Sequence, residues 1–473
     1  MADATRIVII GGGASGTIAA THLLHEFSRP LKIYIVEKRQ QAIFRGIAYS
    51  SNIQFEPLNV PAGRMSIFSD LPNDFLDWLK ENRAGLTESP ITTDSYVSRR
   101  WFGDYLTDRL AEAKSKAPQA SFKLIISEAI DIIKDKKNTK YEVRLADGSS
   151  LQANYIVFAT GHEPPADILN NIEKALLGEK YITNPWISDP FKNLAPNDDV
   201  LIIGSGLSMV DHAVSLLKKK HAGKIYSFSR HGLLPLPQFA GREGHVNFNI
   251  DTRQILEVFR ELRSATFDAE KKGVHWQQII NSIRDEVPGI WQRLSIASKR
   301  TFLNRLKHFW EIHRHRMPAE SAEILESMRQ SGKLEMLAGK RTEIIFQNGK
   351  LQFEYITKKD KITRAVKIDY VINCTGPSGN YSGHSNQLVR NLLARGWMKQ
   401  DSLQLGIETG PNGEIMTVQD IALPNVYGIG PVRKATEWES TAIREIKIQA
   451  EQLALEIALI KSEARQAFVL TGL

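Results

Sequence analysis

The chain has 473 residues, enough for two or three domains, and at 42% apolar and 24% charged it reads as an ordinary globular protein rather than a disordered or low-complexity one. The net charge of +8 is not gathered into a tail; it is densest between Arg293 and Arg316, and with no aromatic-rich RNA-binding signature and no zinc spacing it points to no nucleic-acid partner. The single cysteine, Cys374, excludes an internal disulfide framework and every two-thiol redox motif.

In chain order, Arg6 to Ile10 reads as a short buried strand. The glycine loop GGGASG and an apolar helix from about Gly16 to Phe27 follow, then a strand over Leu31 to Val36 that ends in Glu37. This is one βαβ unit. A long loop region runs from Arg39 to Asp70. Helices are predicted over Asp74 to Asn82 and Trp101 to Lys116, and strands over Phe122 to Ile133, Tyr141 to Leu145 and Tyr155 to Ala159. A second βαβ unit follows: strand Asp199 to Ile203, turn GSGLSM, helix Val210 to Lys218 and strand Lys224 to Ser229. From about Asn249 to Gly339 the pattern is helical; residues 341 to 372 return to strands. Asn425 to Ile429 is the last strand, before a loop and a C-terminal helix. It has no βαβ partner nearby and is expected to return to the first sheet.

The expected fold class is α/β, with two Rossmann-like dinucleotide-binding domains, the second inserted in the first, and a helical insertion. The expected boundaries are 1–190 and 366–473 for the discontinuous first domain, and 191–365 for the second, with the helical insertion at about 240–338. No cationic leader with an apolar core precedes the first strand, so no signal peptide is expected. No apolar run reaches bilayer length, and the last helix, Ile443 to Ala464, is broken by Glu445, Lys447, Glu451, Glu456 and Lys461, so no membrane span is expected. With a lone unpaired thiol, this fits a cytoplasmic protein.

Gly11, Gly13 and Gly16 give GxGxxG directly after a strand and at the start of a helix, with Ala14 and Ser15 between. The first glycine makes the tight turn, the second lets backbone approach a pyrophosphate, and the third lets helix and strand pack closely. The helix N-terminus offers amides and positive dipole to phosphate. Glu37, followed by Lys38, ends the next strand, where a carboxylate accepts ribose hydroxyls.

Gly204 and Gly206, followed by Leu207 and Ser208, repeat the first two glycines, but Met209 replaces the third. Counting from Gly204 as from Gly11 puts Arg230 opposite Glu37; aligning KIYIVE with KIYSFS puts Ser229 there. Either way the acid is missing. A carboxylate repels a ribose 2′-phosphate and an arginine binds one, which favours NADPH over NADH. FATG, with Thr160 and Gly161, and NCTG, with Thr375 and Gly376, each end an apolar strand on a glycine turn. Cys374 inside the second reads as a small buried residue, not a nucleophile.

The predicted helical insertion carries Trp276, Trp291 and Trp310 and a basic run, His313, Arg314, His315 and Arg316. This run is a candidate substrate-binding cluster for a phosphate or an acidic group; the other reading is a solvated or ion-paired helix end. Its spacing does not suit a metal.

Taken with GIAYS (46–50), LNVPAGRMS (58–66), RRWFGDYL (99–106), FATGHEPP (158–165), SRHGLLP (229–235), HRHRMP (313–318), NCTGP (373–377) and GIGPVRKATEWESTAIRE (428–445), the two glycine motifs give the chain its likeness to a known family. It resembles the bacterial FAD/NAD(P)-binding oxidoreductases, distantly related to flavin monooxygenases and N-hydroxylases. The resemblance implies FAD in the discontinuous domain and NAD(P)H in the inserted one. It implies that Asn59 to Ser66, with Met65, and the loop from Gly430 and Pro431 to Glu439 approach the flavin. The pattern FxGxxxHxxx(W/Y)P is missing; YITNPWISDPFKNL stands before the second turn. The pattern Dx₃(L/F)ATGY is approached by Asn154 to Gly161, with Asn for Asp and His162 for Tyr, and by Asp369 to Gly376.

The leading expectation is an FAD-dependent, NADPH-using monooxygenase. It would use O₂ to oxygenate a small nucleophilic amine or sulfide through a flavin C4a-(hydro)peroxide. One alternative is an NAD(P)H dehydrogenase or reductase passing electrons to a quinone or protein. Another is a non-enzymatic dinucleotide-binding sensor. No catalytic acid or base is assigned from the sequence.

Overall fold

The computed structural model describes residues 4–50, 57–87, 89–135, 140–186, 189–239, 246, 248, 250–381 and 386–471, with side chains to residue 459. Residues 51–56 of the long loop, 187–188 of YITNPWISDPFKNL, and 240–245, 247 and 249 at the start of the expected helical insertion lie outside these. The chain divides into two compact units: one of residues 1–51, 60–163 and 379–473, the other of residues 52–59 and 164–378. The divisions fall at 163/164 and 378/379 rather than at 190/191 and 365/366. The reason is strand pairing: Tyr181–Ile182 and Tyr370–Asn373 belong to the second unit's sheet.

In the first unit, β1 (Thr5–Ile10), α1 (Ala14–Glu26) and β2 (Leu31–Glu37) form the opening βαβ. Helices α2 (Asp74–Arg83) and α3 (Arg99–Lys116) follow, then β3 (Ala120–Ile126). A three-stranded antiparallel sheet comprises β4 (Ala129–Lys134), β5 (Tyr141–Leu145) and β6 (Ser150–Ala153). The strand expected over Phe122 to Ile133 is therefore two. The chain breaks at Ser127-Glu128 because β3 pairs with β2 while β4 pairs with β5.

β7 (Tyr155–Phe158) lies parallel to β1 on the side away from β2. The apolar runs IVII and YIVF are buried on both faces, as parallel strands must be. Val8, Ile10, Val36, Ile156 and Phe158 pack against Ile132, Tyr141, Val143 and Leu145 of the small sheet.

The second unit carries α4 (Asn171–Leu177), β8 (Tyr181–Ile182), β9 (Val200–Ile203), α5 (Leu207–Lys218) and β10 (Ile225–Ser229). The helical stretch holds α6 (Ile255–Glu270), α7 (Trp276–Ser282), α8 (Val287–Arg293), α9 (Ile296–Thr301), α10 (Lys307–Arg314) and α11 (Ala319–Gln330). The strands β11 (Leu334–Gln347), β12 (Lys350–Thr357), β13 (Thr363–Ile368) and β14 (Tyr370–Asn373) complete it.

Its sheet runs β13-β12-β11-β10-β9-β14-β8, parallel from β11 to β8. The helical pattern stops earlier than the expected Gly339, because Gly332 takes φ +72° and Leu334 already pairs with Ile225 of β10.

The chain then returns to the first unit through the helix Gln387–Ala394 and the strands β15 (Glu414–Met416) and β16 (Ala422–Gly428). β16 lies parallel to β7, so the first sheet reads β15-β16-β7-β1-β2-β3. The C-terminal helix Ile443–Thr471 packs on α1. No helix among the described residues is long and apolar enough to cross a membrane.

Candidate functional site

In the first unit, Gly11 turns the chain with φ +106°, and a Cβ there would lie 2.3 Å from Ala159 O. No other residue fits. Gly16 closes the helix onto the turn: its Cβ would lie 2.0 Å from Gly11 O. Gly13 caps α1 without a side-chain bond, and the first helical bond is Thr17 N to Gly13 O at 2.9 Å. The amides of Ala14 and Ser15 precede that bond and sit at the positive end of the helix. Glu37 faces the same turn: Oε2 accepts from Gly12 N at 2.8 Å and Oε1 from Arg39 N at 2.9 Å. Each carboxylate oxygen keeps a lone pair for a ribose hydroxyl. Lys38 points elsewhere, to Glu128 at 2.6 Å.

Three distant stretches close on this turn. Phe44 N donates to Gly12 O at 2.7 Å, and a Cβ at Gly46 would lie 2.9 Å from Ala14 N. Gly103 of α3 lets that helix approach Tyr49 O, which a Cβ would meet at 2.5 Å. The motifs GIAYS and RRWFGDYL are thus two sides of one contact.

Gly430, φ +72°, lies against Ser15; a Cβ there would lie 2.5 Å from Ser15 Oγ. Its amide donates to Gln449 Oε1 at 2.8 Å, and Gln449 Nε2 donates to Glu437 Oε2 at 2.6 Å. Glu437 pairs with Arg433, whose other bond goes to Pro411 O at 2.7 Å. Burial pulls the Arg433 guanidinium down and the Glu437 carboxyl up from their ordinary ranges, each offset by the other's charge. Buried Pro431 continues this loop.

Met65 and Ser66 are buried in the first unit. Ser66 Oγ donates to Leu71 O at 2.7 Å and accepts from Phe68 N at 3.1 Å, so its hydroxyl shapes the loop. His22 of α1 meets Ile67 O at 2.8 Å, and Ser69 N donates to Glu451 of the C-terminal helix at 2.8 Å. These ties bring Met65, Gly430 and the α1 N-terminus into one region.

The buried polar atoms that have no hydrogen-bond partner among the described residues include Ser440 Oγ and Arg433 Nε in the Gly430 loop, and Asn59 Oδ1, which is grouped with the second unit. Trp438 adopts φ +59°, a conformation side-chain-bearing residues avoid and functional loops retain. The sequence reading did not single out Ser440 or Gln449; the motif containing Ser440 was the available signal.

The second unit repeats the strand-end bonds of the first turn. Gly204, φ +120°, would place a Cβ 2.2 Å from Cys374 O, as Gly11 does at Ala159. Gly204 N donates to Phe228 O at 2.8 Å and Gly11 N to Val36 O at 2.8 Å. Phe228 therefore matches Val36, and the residue opposite Glu37 is Ser229. Ser229 Oγ accepts from Ser205 Oγ at 3.0 Å and from Gly232 N at 2.9 Å. Arg230 follows, exposed.

Gly206 caps α5 with no side-chain bond, leaving the amides of Leu207 and Ser208 facing outward along the axis. Met209 is fully buried among Val200, Ile202 and Val214, and its amide bonds to Gly206 O at 3.0 Å, a tighter first turn than in α1.

The two TG turns match as well, with Gly161 at φ +72° and Gly376 at φ +86°. Thr375 N and Oγ both donate to Asn373 Oδ1, at 3.2 and 2.7 Å, while Thr160 is half-buried. The residues at the Asp of the Dx₃(L/F)ATGY pattern clamp strands: Arg6 N donates to Asn154 Oδ1 at 2.9 Å, and Asp199 N to Asp369 Oδ2 at 3.0 Å. Cys374 is buried, and burial pushes its thiol far above the ordinary range, away from nucleophilic chemistry.

The basic run at the end of α10 is held internally. Arg316 is buried; it donates to Gln238 Oε1 at 2.7 Å, Asn281 Oδ1 at 2.6 Å and His313 O at 3.0 Å. His313 Nδ1 meets Phe309 O at 2.7 Å, and His315 lies 3.4 Å from Glu311. Arg314 also has interactions within the fold. These side chains tie the helical region together, and the geometry does not gather them for an external anion.

A family model described as FAD-NAD(P)-binding matches residues 8–163, the stretch that holds the first glycine turn. Ornithine N-hydroxylase from Kutzneria sp. 744, solved with reduced FAD, NADP⁺ and L-ornithine, is 15% identical. The match covers 97% of this chain and 100% of that one, at a TM-score of 0.65. L-lysine 6-monooxygenase from Pseudomonas syringae is 17% identical over 96% of this chain and 99% of its own, at 0.65. The fold is that of the two-dinucleotide flavoprotein monooxygenases. Bacillithiol disulfide reductase from Bacillus cereus is more distant in shape, 15% identical over 96% and 99% at a TM-score of 0.51. No curated protein matches the chain in sequence.

Proposed function

We propose that this chain is an FAD-dependent monooxygenase that takes hydride from NADPH and oxygenates a small amine. The observation that carries the reading is the pair of glycine turns with matching strand-end bonds, followed by Glu37 in one unit and by Ser229 in the other. The residues of the first unit fit FAD. Gly11, Gly13 and Gly16 leave a backbone cradle that any Cβ would fill, the α1 N-terminus offers Ala14 and Ser15 amides to a pyrophosphate, and Glu37 accepts ribose hydroxyls. In the second unit Gly204, Gly206, Leu207 and Ser208 would take the pyrophosphate of NADPH, with Thr375 and Gly376 alongside.

Bound flavin would supply hydride acceptance and oxygen activation. The chain's own residues supply placement. Gln449 and Glu437 fix the Gly430 loop against Ser15, Ser66 fixes the loop that presents Met65, and the Ser440 hydroxyl is left with donor capacity. Thr160 and Gly161 end the strand beside the first turn. The choice of an amine rests on solved relatives whose substrates are ornithine and lysine, and on flavin fold alone it is analogy.

The test is NADPH oxidation with and without diamines and basic amino acids, with the hydroxylamine product measured. Amine-stimulated oxidation with stoichiometric hydroxylamine supports the reading. Oxidation indifferent to every amine, together with rapid reduction of a quinone, would replace it with a reductase.

A further inference from the structure

We propose that Arg230, His231, His308 and Lys358 form a clamp for the ribose 2′-phosphate of NADP(H), with the stacked imidazole pair supplying discrimination against NAD(H). The inference rests on the reading that the second glycine turn holds a nicotinamide dinucleotide. It adds to that reading the helical stretch and the β12–β13 connection as specificity elements.

Three separate elements bring these side chains together. Arg230 and His231 follow Ser229 at the carboxyl end of β10, the edge at which open parallel sheets bind ligands. Lys358 is held at the same level: its amide donates to Ala338 O at 3.0 Å, and Ala338 is the β11 partner of Ser229. His308 comes from α10, immediately after a π-helical turn over Phe302–Leu306 that re-phases the helix. The His231 and His308 rings stack 3.8 Å apart and 8° from parallel. Lys358 Nζ donates to His231 Nδ1 at 2.7 Å. An ammonium can only donate, so Nδ1 accepts and the ring proton sits on Nε2, free to donate to a phosphate oxygen.

Among the described residues, the charges facing this pair are all of one sign. Arg230 and Lys358 face both rings, and His308 faces His231; no carboxylate is among the groups acting on either histidine. Asp360, two residues from Lys358, is taken by Thr357 and Arg364. The two cations, Arg230 and Lys358, flank the imidazole pair, and a dianion would offset their charge.

Burial first, then these neighbouring cations, hold both imidazoles below their ordinary range, so they are uncharged at neutral pH. A bound phosphate dianion offsets those cations and raises both rings. Binding therefore takes up protons, and affinity for the 2′-phosphate weakens as pH rises.

The experiment is calorimetry on the purified full chain with adenosine 2′,5′-bisphosphate against AMP, and NADP⁺ against NAD⁺. Wild type, H308A, H308Q and K358A are compared. Each substitution is expected to weaken the 2′-phosphorylated ligands about tenfold through loss of a charge-assisted contact and to leave AMP and NAD⁺ unchanged. Wild-type affinity for the bisphosphate should fall about tenfold between about pH 6.5 and about pH 8.5, and less in H308A. Equal losses for both ligand classes, or losses for neither, would overturn the clamp. Flavin absorbance of the same samples reads the other claim. A protein that stays free of flavin after reconstitution with FAD yet prefers the bisphosphate supports the clamp and refutes the FAD assignment; a flavin-loaded protein without that preference refutes the clamp alone.

Discussion

Replacing Gly11 with Ala tests the first cradle, and Gly204→Ala tests the second with the same chemistry. At Gly11 the added methyl carbon meets Ala159 O at 2.3 Å in a backbone at φ +106°; at Gly204 it meets Cys374 O at 2.2 Å at φ +120°. Both obstacles are backbone carbonyls just past the ends of interior strands, in residues held by Ala159 N to Ile10 O and Cys374 N to Ile203 O, each at 2.8 Å. They cannot swing aside as a side chain would. Conformational strain of roughly 1–3 kcal/mol and overpacking of about the same size together cost on the order of 2–6 kcal/mol. That is a large part of the roughly 5–15 kcal/mol that holds a typical domain, so each variant is expected to distort its own turn first.

The assay is visible flavin absorbance per protein, followed by anaerobic reduction with NADPH. Gly11→Ala should be purified with less than about a tenth of the wild-type flavin, since about 1.4 kcal/mol is tenfold in occupancy. Gly204→Ala should keep its flavin and lose reduction by NADPH at least about thirtyfold in kcat/KM. Flavin lost equally from both variants, or retained in both, would refute the assignment of one nucleotide to each turn.

Ser229→Asp places a carboxylate where Glu37 stands in the first unit, and should lower kcat/KM for NADPH more than about tenfold while raising that for NADH. Gln449→Leu removes the acceptor of the Gly430 amide and a donor to Glu437; leaving buried groups unpaired costs about 1–3 kcal/mol each, so flavin should dissociate more readily and the thermal midpoint should fall. Arg316→Ala strands Gln238 and Asn281 and should lower the thermal midpoint with the amine KM unchanged, whereas a substrate-binding arginine would raise KM first.

The glycine turns were legible because everything that defines them is local. Strand, turn, helix and the acid at Glu37 lie within one βαβ unit, and the physical demand for no Cβ falls on single residues. The register of the second unit was open between Ser229 and Arg230 because sequence spacing cannot see a one-residue difference in loop length. The Gly204 N to Phe228 O bond settles it on Ser229.

The basic run from His313 to Arg316 stayed open between an anion site and an ion-paired helix end for the opposite reason. Its charges are neighbours in sequence, but the groups that satisfy Arg316, Gln238 and Asn281, lie far away in the chain. The cluster of His231, His308 and Lys358 was invisible on the same ground, being assembled from three elements. The boundaries at 163/164 and 378/379 were missed because the two-residue strand β8 and the strand β14 show their allegiance only through pairing.

The most direct measurement is the spectrum of the purified protein during anaerobic titration with NADPH and, separately, NADH. A flavin spectrum that bleaches with one equivalent of NADPH, and much more slowly with NADH, is the predicted result. A protein with no flavin after reconstitution with FAD, or one whose flavin neither nucleotide reduces, would contradict the account at its centre.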